Sequence, residues 1–285
     1  MIRYPEILDE VFEPESWAWT DRETILYALS IGYGADPSSA RDAPFVREET
    51  GLKVCPSFVT VAGASGAMTA KRLGINRLKR VHGEQGMVLH RPLPTEGAVT
   101  TRSRIVACYD KGPAGALIIS ETEVRSASDC AHLATLTSTS FARADGGFGG
   151  PPGGPAAPAR PERPADRTVE VHTRPDQAIL FRLLRDRNPL HIDPDRAALA
   201  GFPRPILHGL CLYGIACRLL LAEYADNAPE RMRAMHTRFA GPVFPGETLR
   251  FQLWRDGSTV SFEADVPARQ SPALRLGRAT LQDAA

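Results

Sequence analysis

A segment rich in glycine, proline and alanine, residues 146–166, divides this chain of 285 residues into two parts of similar length. It has few large apolar side chains, so it buries too little surface to offset the entropy lost when a chain is ordered. We interpret it as a linker or surface loop. The sequence thus predicts three segments: a first unit over residues 1–145, the linker over 146–166, and a second unit over 167–285.

The two units share hydrophobic patterns, which indicates an internal duplication. Residues 25–29 (ILYAL) of the first unit parallel residues 179–183 (ILFRL) of the second. In each unit a later segment opens a strand-like run, residues 92–97 (PLPTEG) in the first and 243–247 (VFPGE) in the second. We therefore expect two distant copies of one folding unit.

The second unit has the clearer secondary-structure signals. Apolar residues recur at near-helical spacing over residues 206–224, which predicts one long helix. A short helix is predicted before it, because Asp193 is a good N-cap, Pro194 suits the first turn and Gly201 ends the pattern. Residues 249–254 alternate as in a half-buried antiparallel strand. One long helix with several antiparallel strands is an α+β plan.

The stretch from Arg185 to Gly209 concentrates the residues that are able to perform acid–base chemistry. It places a carboxylate (Asp186), an amide (Asn188) and an imidazole (His191) on a segment that prolines prevent from being one continuous helix. An acid and a base held this close can add a proton and a hydroxide to one face of a substrate. The pattern therefore indicates a hydration site.

Each of these residues also has a simpler interpretation. Asp186 is well suited to a turn in which it bonds its own backbone, and His191 to a loop in which its ring is satisfied. Gly209 opens the long helix, where N–H groups lack partners and the helix dipole is positive, so its bare amide is a candidate oxyanion donor. The alternative is a glycine that only packs against the sheet.

The same stretch resembles a known family. The sequence DRNPLH at 186–191, followed by GFPRPILHGL at 201–210, is similar to the signature of the MaoC-like dehydratases, the R-specific (type 2) enoyl-CoA hydratases. Shorter matches lie at 82–85 (HGEQ), 110–112 (DKG) and 238–246 (RFAGPVFPG). The resemblance implies a double hotdog, in which two units, each a long helix wrapped by an antiparallel sheet, pack as a pseudo-dimer with one joined sheet.

The resemblance also implies an activity, the reversible hydration of trans-2-enoyl-CoA to (3R)-3-hydroxyacyl-CoA by a hydro-lyase. Asp186 and His191 would share the two proton transfers, Asn188 would orient them or the water, and the Gly209 amide would bind the thioester oxygen. Which residue activates water stays open, because coupled groups share their titration. The residues expected to contact the acyl-CoA are His82, Gly83, Lys111, Arg187, Pro189, Leu190 and Phe239.

Lys111 suits the CoA phosphates as a cation, although most lysines in turns only face water, and Phe239 would more often belong to a core. The duplication places Gly32, Gly34 and Pro37 of the first unit opposite Asp186, Asn188 and His191 of the second. The first unit is therefore expected to bind the acyl chain without taking part in the chemistry.

One departure from the family pattern concerns the residues before the catalytic Asp. The family usually has Ser-Gly there, and this chain has Leu184 and Arg185. Glycine permits backbone angles that arginine tolerates poorly, so a non-catalytic acyl-CoA-binding subunit is an alternative. The positive charge of Arg185 would also favour an ionised Asp186.

Composition limits the other possibilities. The net charge of +1, from 34 basic and 33 acidic residues, gives no reason to expect a nucleic-acid partner, and no apolar run approaches the ~20 residues needed to span a bilayer. The seven histidines and five cysteines show no metal-ligand spacing, so we expect no metal and no cofactor beyond the CoA of the substrate.

The chain opens without the apolar core of a signal peptide and closes without a peroxisomal SKL, so we expect a cytoplasmic protein. With the double-hotdog interpretation we also expect a homodimer. Within the enzyme class, the alternatives are a dehydratase specialised for a bulky steroid, polyketide or dicarboxylic acyl-CoA, and a hotdog thioesterase. The thioesterase is less favoured, because the DRNPLH loop is a hydration feature.

Overall fold

The structure is a computed structural model that describes residues 2–66, 73–76 and 79–282. The α-helices among these residues are α1 (Asp21–Ser30), α2 (Ala43–Val46), α3 (Val59–Ala62), α4 (Gln177–Arg182), α5 (Pro194–Leu199) and α6 (Gly209–Tyr224). The strands are β1 (Glu15–Trp19), β2 (Arg80–Leu89), β3 (Gly97–Asp110), β4 (Ala116–Ser126), β5 (His132–Ala142), β6 (Arg167–His172), β7 (Met232–Phe239), β8 (Thr248–Asp256), β9 (Thr259–Val266) and β10 (Ser271–Leu281).

These strands form one antiparallel sheet in the order β1-β3-β4-β5-β2-β7-β10-β9-β8-β6. The first unit contributes the order 1-3-4-5-2. Counted from the opposite edge, the second unit contributes 6-8-9-10-7, which is the same arrangement. Strands β2 and β7 join the units at the centre, with Glu84 opposite Arg238 and Val88 opposite Ala234. The strand order thus repeats as the sequence patterns predicted.

Helix α6 is the long helix of the second unit, and it starts at Gly209, slightly later than predicted. It is apolar nearly all round and most of its side chains are buried. At Gly214 it passes close to α1, since a Cβ there would lie 2.4 Å from Ile31 Cγ2 and 2.8 Å from the Tyr27 hydroxyl. Only glycine allows the two helices to approach this closely.

The expectation of a long helix in each unit needs a correction for the first unit. Where the second unit has α6, the described residues of the first unit form a 3-10 turn, Pro56–Phe58, that continues into the four-residue α3. All of these residues are buried. Gly63 follows α3, and a Cβ there would lie 2.5 Å from Val124 and 2.8 Å from Leu136, so the sheet is already in contact with the chain where α3 ends.

Several local predictions for the second unit are confirmed. Asp193 caps α5 by accepting bonds from the amides of Asp195 (2.9 Å) and Arg196 (3.2 Å), and Gly201 after the helix has a φ of +86°. In β8, the apolar positions of the alternating run are fully buried. None of the helices among the described residues is long and apolar enough to cross a membrane.

The linker follows the surface as an irregular, mostly exposed chain. It is nevertheless held at both ends. The amides of Gly147 and Gly149 donate to the carboxylate of Asp110 (2.8 Å each), and Trp254 Nε1 donates to the carbonyl of Arg163 (2.8 Å). It therefore connects the units while contacting both.

Candidate active site

The predicted catalytic loop lies between α4 and α5 and is shaped by its own short-range hydrogen bonds. Asp186 Oδ1 accepts from the amide of Asn188 (3.1 Å), and Asn188 Oδ1 accepts from the amide of Leu190 (3.1 Å). The 3-10 turn Pro189–His191 follows. Asp186 thus does hold a turn, as the simpler interpretation proposed. Its side chain is also exposed, so the carboxylate can reach a substrate.

His191 lies beneath this loop, and its ring is held by a hydrogen bond to the chain before α6. Its Nδ1 is 2.8 Å from the carbonyl oxygen of Ile206. Because a carbonyl only accepts, Nδ1 carries the hydrogen, and the lone pair is therefore on Nε2. Burial lowers the pKa of His191, although the Ile206 carbonyl and the Asp186 carboxylate oppose this. A neutral imidazole with a lone pair at Nε2 is equipped to accept a proton.

His208 stacks on His191, with ring centroids 3.6 Å apart and ring planes inclined by 25°. It is 1% exposed, and its Nε2 donates to the carbonyl of Asp186 (3.2 Å). Burial, with the neighbouring His191, lowers the pKa of His208 to about 3, so it is neutral at physiological pH. These contacts fix the plane of the His191 ring and the backbone of Asp186, so His208 supports both candidate catalytic residues.

A carboxylate oxygen of Asp186 and ring nitrogens of His191 and His208 all lie within 4.8 Å of one another. Such a cluster raises the question of a metal ion. The ligand lone pair of an imidazole lies in the plane of its ring, and a zinc–nitrogen bond is ~2.0–2.1 Å long. Two rings stacked 3.6 Å apart cannot both direct lone pairs at one ion over that distance. The geometry favours proton transfer over metal coordination.

The tip of α6 faces strands β2 and β7. A Cβ on Gly209 would lie 3.3–3.4 Å from atoms of the Phe239 ring, so the aromatic ring covers the first residue of the helix. The Phe239 ring in turn contacts the ring of His82, with centroids 5.0 Å apart. The first N–H groups of a helix have no partner within it. The start of α6 therefore presents backbone N–H donors beside the rings of Phe239 and His82.

His82 reaches this site because of a β-bulge at Gly83. His82 pairs with Ser140 and Glu84 with Thr139, so the alternation of side chains shifts by one residue between them. His82 thereby lies on the inner face of the sheet. Burial and the charge of Arg80 lower the pKa of His82 to about 4, and the Asp186 carboxylate acts in the opposite direction. The first unit thus adds an imidazole near the loop of the second.

The structure separates Lys111 from the cluster. Lys111 follows β3. The strand registers place its neighbour Asp110 in the same row across the sheet as Arg80, three strands away. With strands ~4.8 Å apart, this is a lateral distance of about 14 Å. Its Nζ donates to the carbonyl of Gly153 (3.0 Å). Substrate contact by Lys111 stays a prediction, as it does for Arg187, Pro189 and Leu190 of the catalytic loop.

The sequence did not reveal the position of the Arg185 side chain. The backbone of Arg185 is not in the left-handed region, so arginine in place of the family's glycine does not strain the loop. The guanidinium points into the first unit, where Nη1 donates to the carbonyls of Val61 (3.3 Å) and Ala62 (3.2 Å). It also covers the ring of Trp17 at 5.2 Å.

A cleft of about 250 Å³ opens at the other end of β2 and β7, away from the catalytic loop. Its walls come from both units and are mainly apolar, with cationic side chains among them. The lining residues are Leu52, Lys53, Val54, Pro56, Leu89, Arg91, Pro92, Leu93, Pro94, Thr95, Pro229, Glu230, Met232 and Arg233.

Two family descriptions match the chain in tandem: the MFE-2 hydratase 2 N-terminal domain over residues 17–144, and the MaoC like domain over residues 156–272. The enoyl-CoA hydratase ChsH3 of Mycobacterium tuberculosis is 36% identical over 269 residues, which cover 93% of each chain. The chain belongs to the MaoC-like hydratase 2 family.

Two further similarities support the same assignment. The 3-hydroxyacyl-thioester dehydratase Y of M. tuberculosis is 39% identical over 257 residues, 88% of this chain and 87% of the relative. A solved MaoC-like dehydratase from Phytophthora capsici has a TM-score of 0.86 at 31% identity, over 99% of this chain and 100% of the other. The family resemblance and the double-hotdog fold expected from the sequence of this MaoC-like protein are confirmed.

Proposed function

We propose that this protein is a hydro-lyase that reversibly hydrates trans-2-enoyl-CoA to (3R)-3-hydroxyacyl-CoA. The observation that carries the proposal is the approach of the Asp186 carboxylate and a ring nitrogen of His191 to within 4.8 Å, beside the tip of α6. The names of the relatives, an enoyl-CoA hydratase and a 3-hydroxyacyl-thioester dehydratase, support the same reaction class.

Hydration of the conjugated thioester needs three functions. Water loses a proton as its oxygen bonds to C3, C2 gains a proton, and the thioester oxygen carries enolate charge between these events. His191 offers a lone pair at Nε2, and Asp186 offers an exposed carboxylate within 4.8 Å of a ring nitrogen of His191. We assign the two proton transfers to this pair jointly, with Asn188 orienting the Asp186 turn.

The enolate oxygen would lie at the tip of α6, where the amide of Gly209 can donate to it. A preorganised donor of this kind typically lowers a barrier by ~3 kcal/mol. The rings of Phe239 and His82 lie beside this position, so the thioester would be partly shielded from water there. The reverse reaction, dehydration, uses the same groups in the opposite order.

The acyl chain is assigned to the first unit, which lacks an acid–base pair at the positions aligned with the catalytic loop. Near α3 that unit has an aromatic cluster of Trp17, Trp19, Tyr27 and Phe58, with ring centroids 5.3–6.0 Å apart. We further propose a cytoplasmic homodimer that needs no cofactor beyond the CoA of its substrate. The ordinary backbone of Arg185 removes the reason to expect a non-catalytic subunit.

The test is turnover of crotonyl-CoA and of longer or bulkier trans-2-enoyl-CoA esters, followed by the loss of conjugated-thioester absorbance. We expect turnover by the natural protein and its loss in Asp186→Asn and in His191→Gln. The matched control is His172→Gln, since His172 lies at the surface and bonds only Thr248 (2.7 Å) among the contacts described. Full activity in both site variants would contradict the site, and release of free thiol would indicate a thioesterase.

A further inference from the structure

The side chain of Arg185 crosses from the catalytic loop to the first unit, and this chain has it where the family pattern has glycine. Its guanidinium bonds the carbonyls of Val61 and Ala62 at the end of α3 and lies over Trp17. Only 22% of the side chain is exposed. Both bonds come from Nη1, which carries two hydrogens, and the flat guanidinium can stack on an aromatic ring at the same time.

The surface that receives Arg185 is itself ordered by hydrogen bonds. Glu15 of β1 accepts from the amide of Gly66 (2.7 Å) and the hydroxyl of Ser65 (3.1 Å) through Oε1. Its Oε2 lies 3.9 Å from Arg185 Nη2. The guanidinium therefore binds a surface built from β1 and the chain after α3, and its charge is partly balanced there.

On the other side of Arg185 is Asp186, whose carbonyl accepts from His208 Nε2. His208 is buried and stacked on His191. The backbone of Asp186 is thus tied in two directions, to the first unit through Arg185 and to the interior of the second through His208.

We propose that Arg185 is a positioning residue that holds Asp186 at its working distance from His191 by tying the loop to the end of α3. The inference rests on the proposed hydration, and the contact it describes joins the second unit to the first. Arg185 is not itself a catalytic residue, because its guanidinium is bound to the first unit, away from the reacting groups.

The first test compares Arg185→Ala and Arg185→Lys with the natural protein. A displacement of a catalytic group by about 1 Å can cost about a hundredfold in rate, so we expect kcat of Arg185→Ala to fall at least about tenfold. The KM for crotonyl-CoA should change little. Lysine lacks the planar guanidinium that lies over Trp17, so Arg185→Lys should recover only part of kcat.

Added guanidinium ion, well below denaturing concentrations, should restore kcat of Arg185→Ala several-fold by occupying the vacated place. A purely structural loss would not respond in this way. The matched control is Arg174→Ala, because Arg174 is 41% exposed and pairs only with Asp176 (2.8 Å) among the described ion pairs. It should keep its kcat and show no response to guanidinium.

Amide hydrogen exchange tests the positioning role without any turnover. We expect Arg185→Ala to speed exchange in residues 186–191 and to leave α6 unchanged. Wild-type exchange in that loop, or a natural kcat in Arg185→Ala, would overturn the inference while leaving the proposed function intact. If the natural protein does not turn over any enoyl-CoA, the proposed function fails, and the exchange result still decides the role of Arg185.

Discussion

The replacement of Gly209 by alanine separates activity from stability. A Cβ there would lie 3.3–3.4 Å from Cζ, Cε1 and Cε2 of Phe239, so the ring must move by only a few tenths of an ångström. Overpacking costs ~1–3 kcal/mol when the core is rigid, and alanine regains up to about 1 kcal/mol of helix propensity. We expect the free energy of unfolding to change by no more than about 1 kcal/mol.

The activity should respond far more strongly. The added methyl group displaces the Phe239 ring, which lies beside the place where the thioester oxygen is proposed to bind. Losing one such donor costs ~3 kcal/mol, which is about a hundredfold in kcat/KM. The measurements are kcat/KM with an enoyl-CoA ester and urea unfolding on the same preparation.

A second glycine of the same helix provides the control. A Cβ on Gly214 would lie 2.4 Å from Ile31 and 2.8 Å from the Tyr27 hydroxyl, so Gly214→Ala should lose ~1–3 kcal/mol of stability. Its turnover per folded molecule should stay natural. If Gly209→Ala keeps its kcat/KM, or loses it only in proportion to folded protein, the glycine serves packing and the oxyanion assignment is wrong.

Three other predictions follow from the site. Asp186→Asn and His191→Gln should each lower kcat by ~10²–10⁴, the range for general acid–base groups, with urea midpoints that show intact folding; near-natural kcat in either would remove that residue from the mechanism. His82 and His208 have native pKa values of about 4 and about 3, so the unfolded chain takes up protons below pH 6.5 that the native site does not. Stability present above pH 6.5 should therefore be lost as the pH falls, by about 2 kcal/mol per group at pH 5, and a flat urea-unfolding profile from pH 7 to 5 would refute this. Glu84→Gln removes the carboxylate that pairs with His236 and Arg238 of β7. Because these partners are partly exposed, the change should lower the free energy of unfolding in urea by about 1 kcal/mol or less. A larger loss would show that these ion pairs contribute more to the β2–β7 junction between the units.

The features that sequence predicted correctly depend on neighbouring residues. The cap of α5 needs only Asp193 and the two amides after it, and the burial of β8 follows from alternation along one strand. The turn at Asp186 and Asn188 is likewise made by residues two positions apart. Such local chemistry is encoded in a short window, so a pattern is enough to locate it.

The features that sequence did not reveal depend on distant pairing. The shift that brings His82 to the inner face exists only because Ser140 and Thr139 occupy the partner strand. Arg185 binds carbonyls more than 120 residues away, and no spacing in the sequence indicates which backbone groups it will reach. The seven histidines likewise gave no sign that His208 would stack on His191.

The most direct test of the acid–base pair is the stereochemistry of addition in deuterated water. Because the Asp186 carboxylate and a ring nitrogen of His191 lie within 4.8 Å of each other, the account predicts one deuterium at C2, on the same face as the new hydroxyl group. The proposed reaction also requires the 3R configuration of the product. A 3S product, deuterium on the opposite face, or deuterium on both faces equally would contradict it.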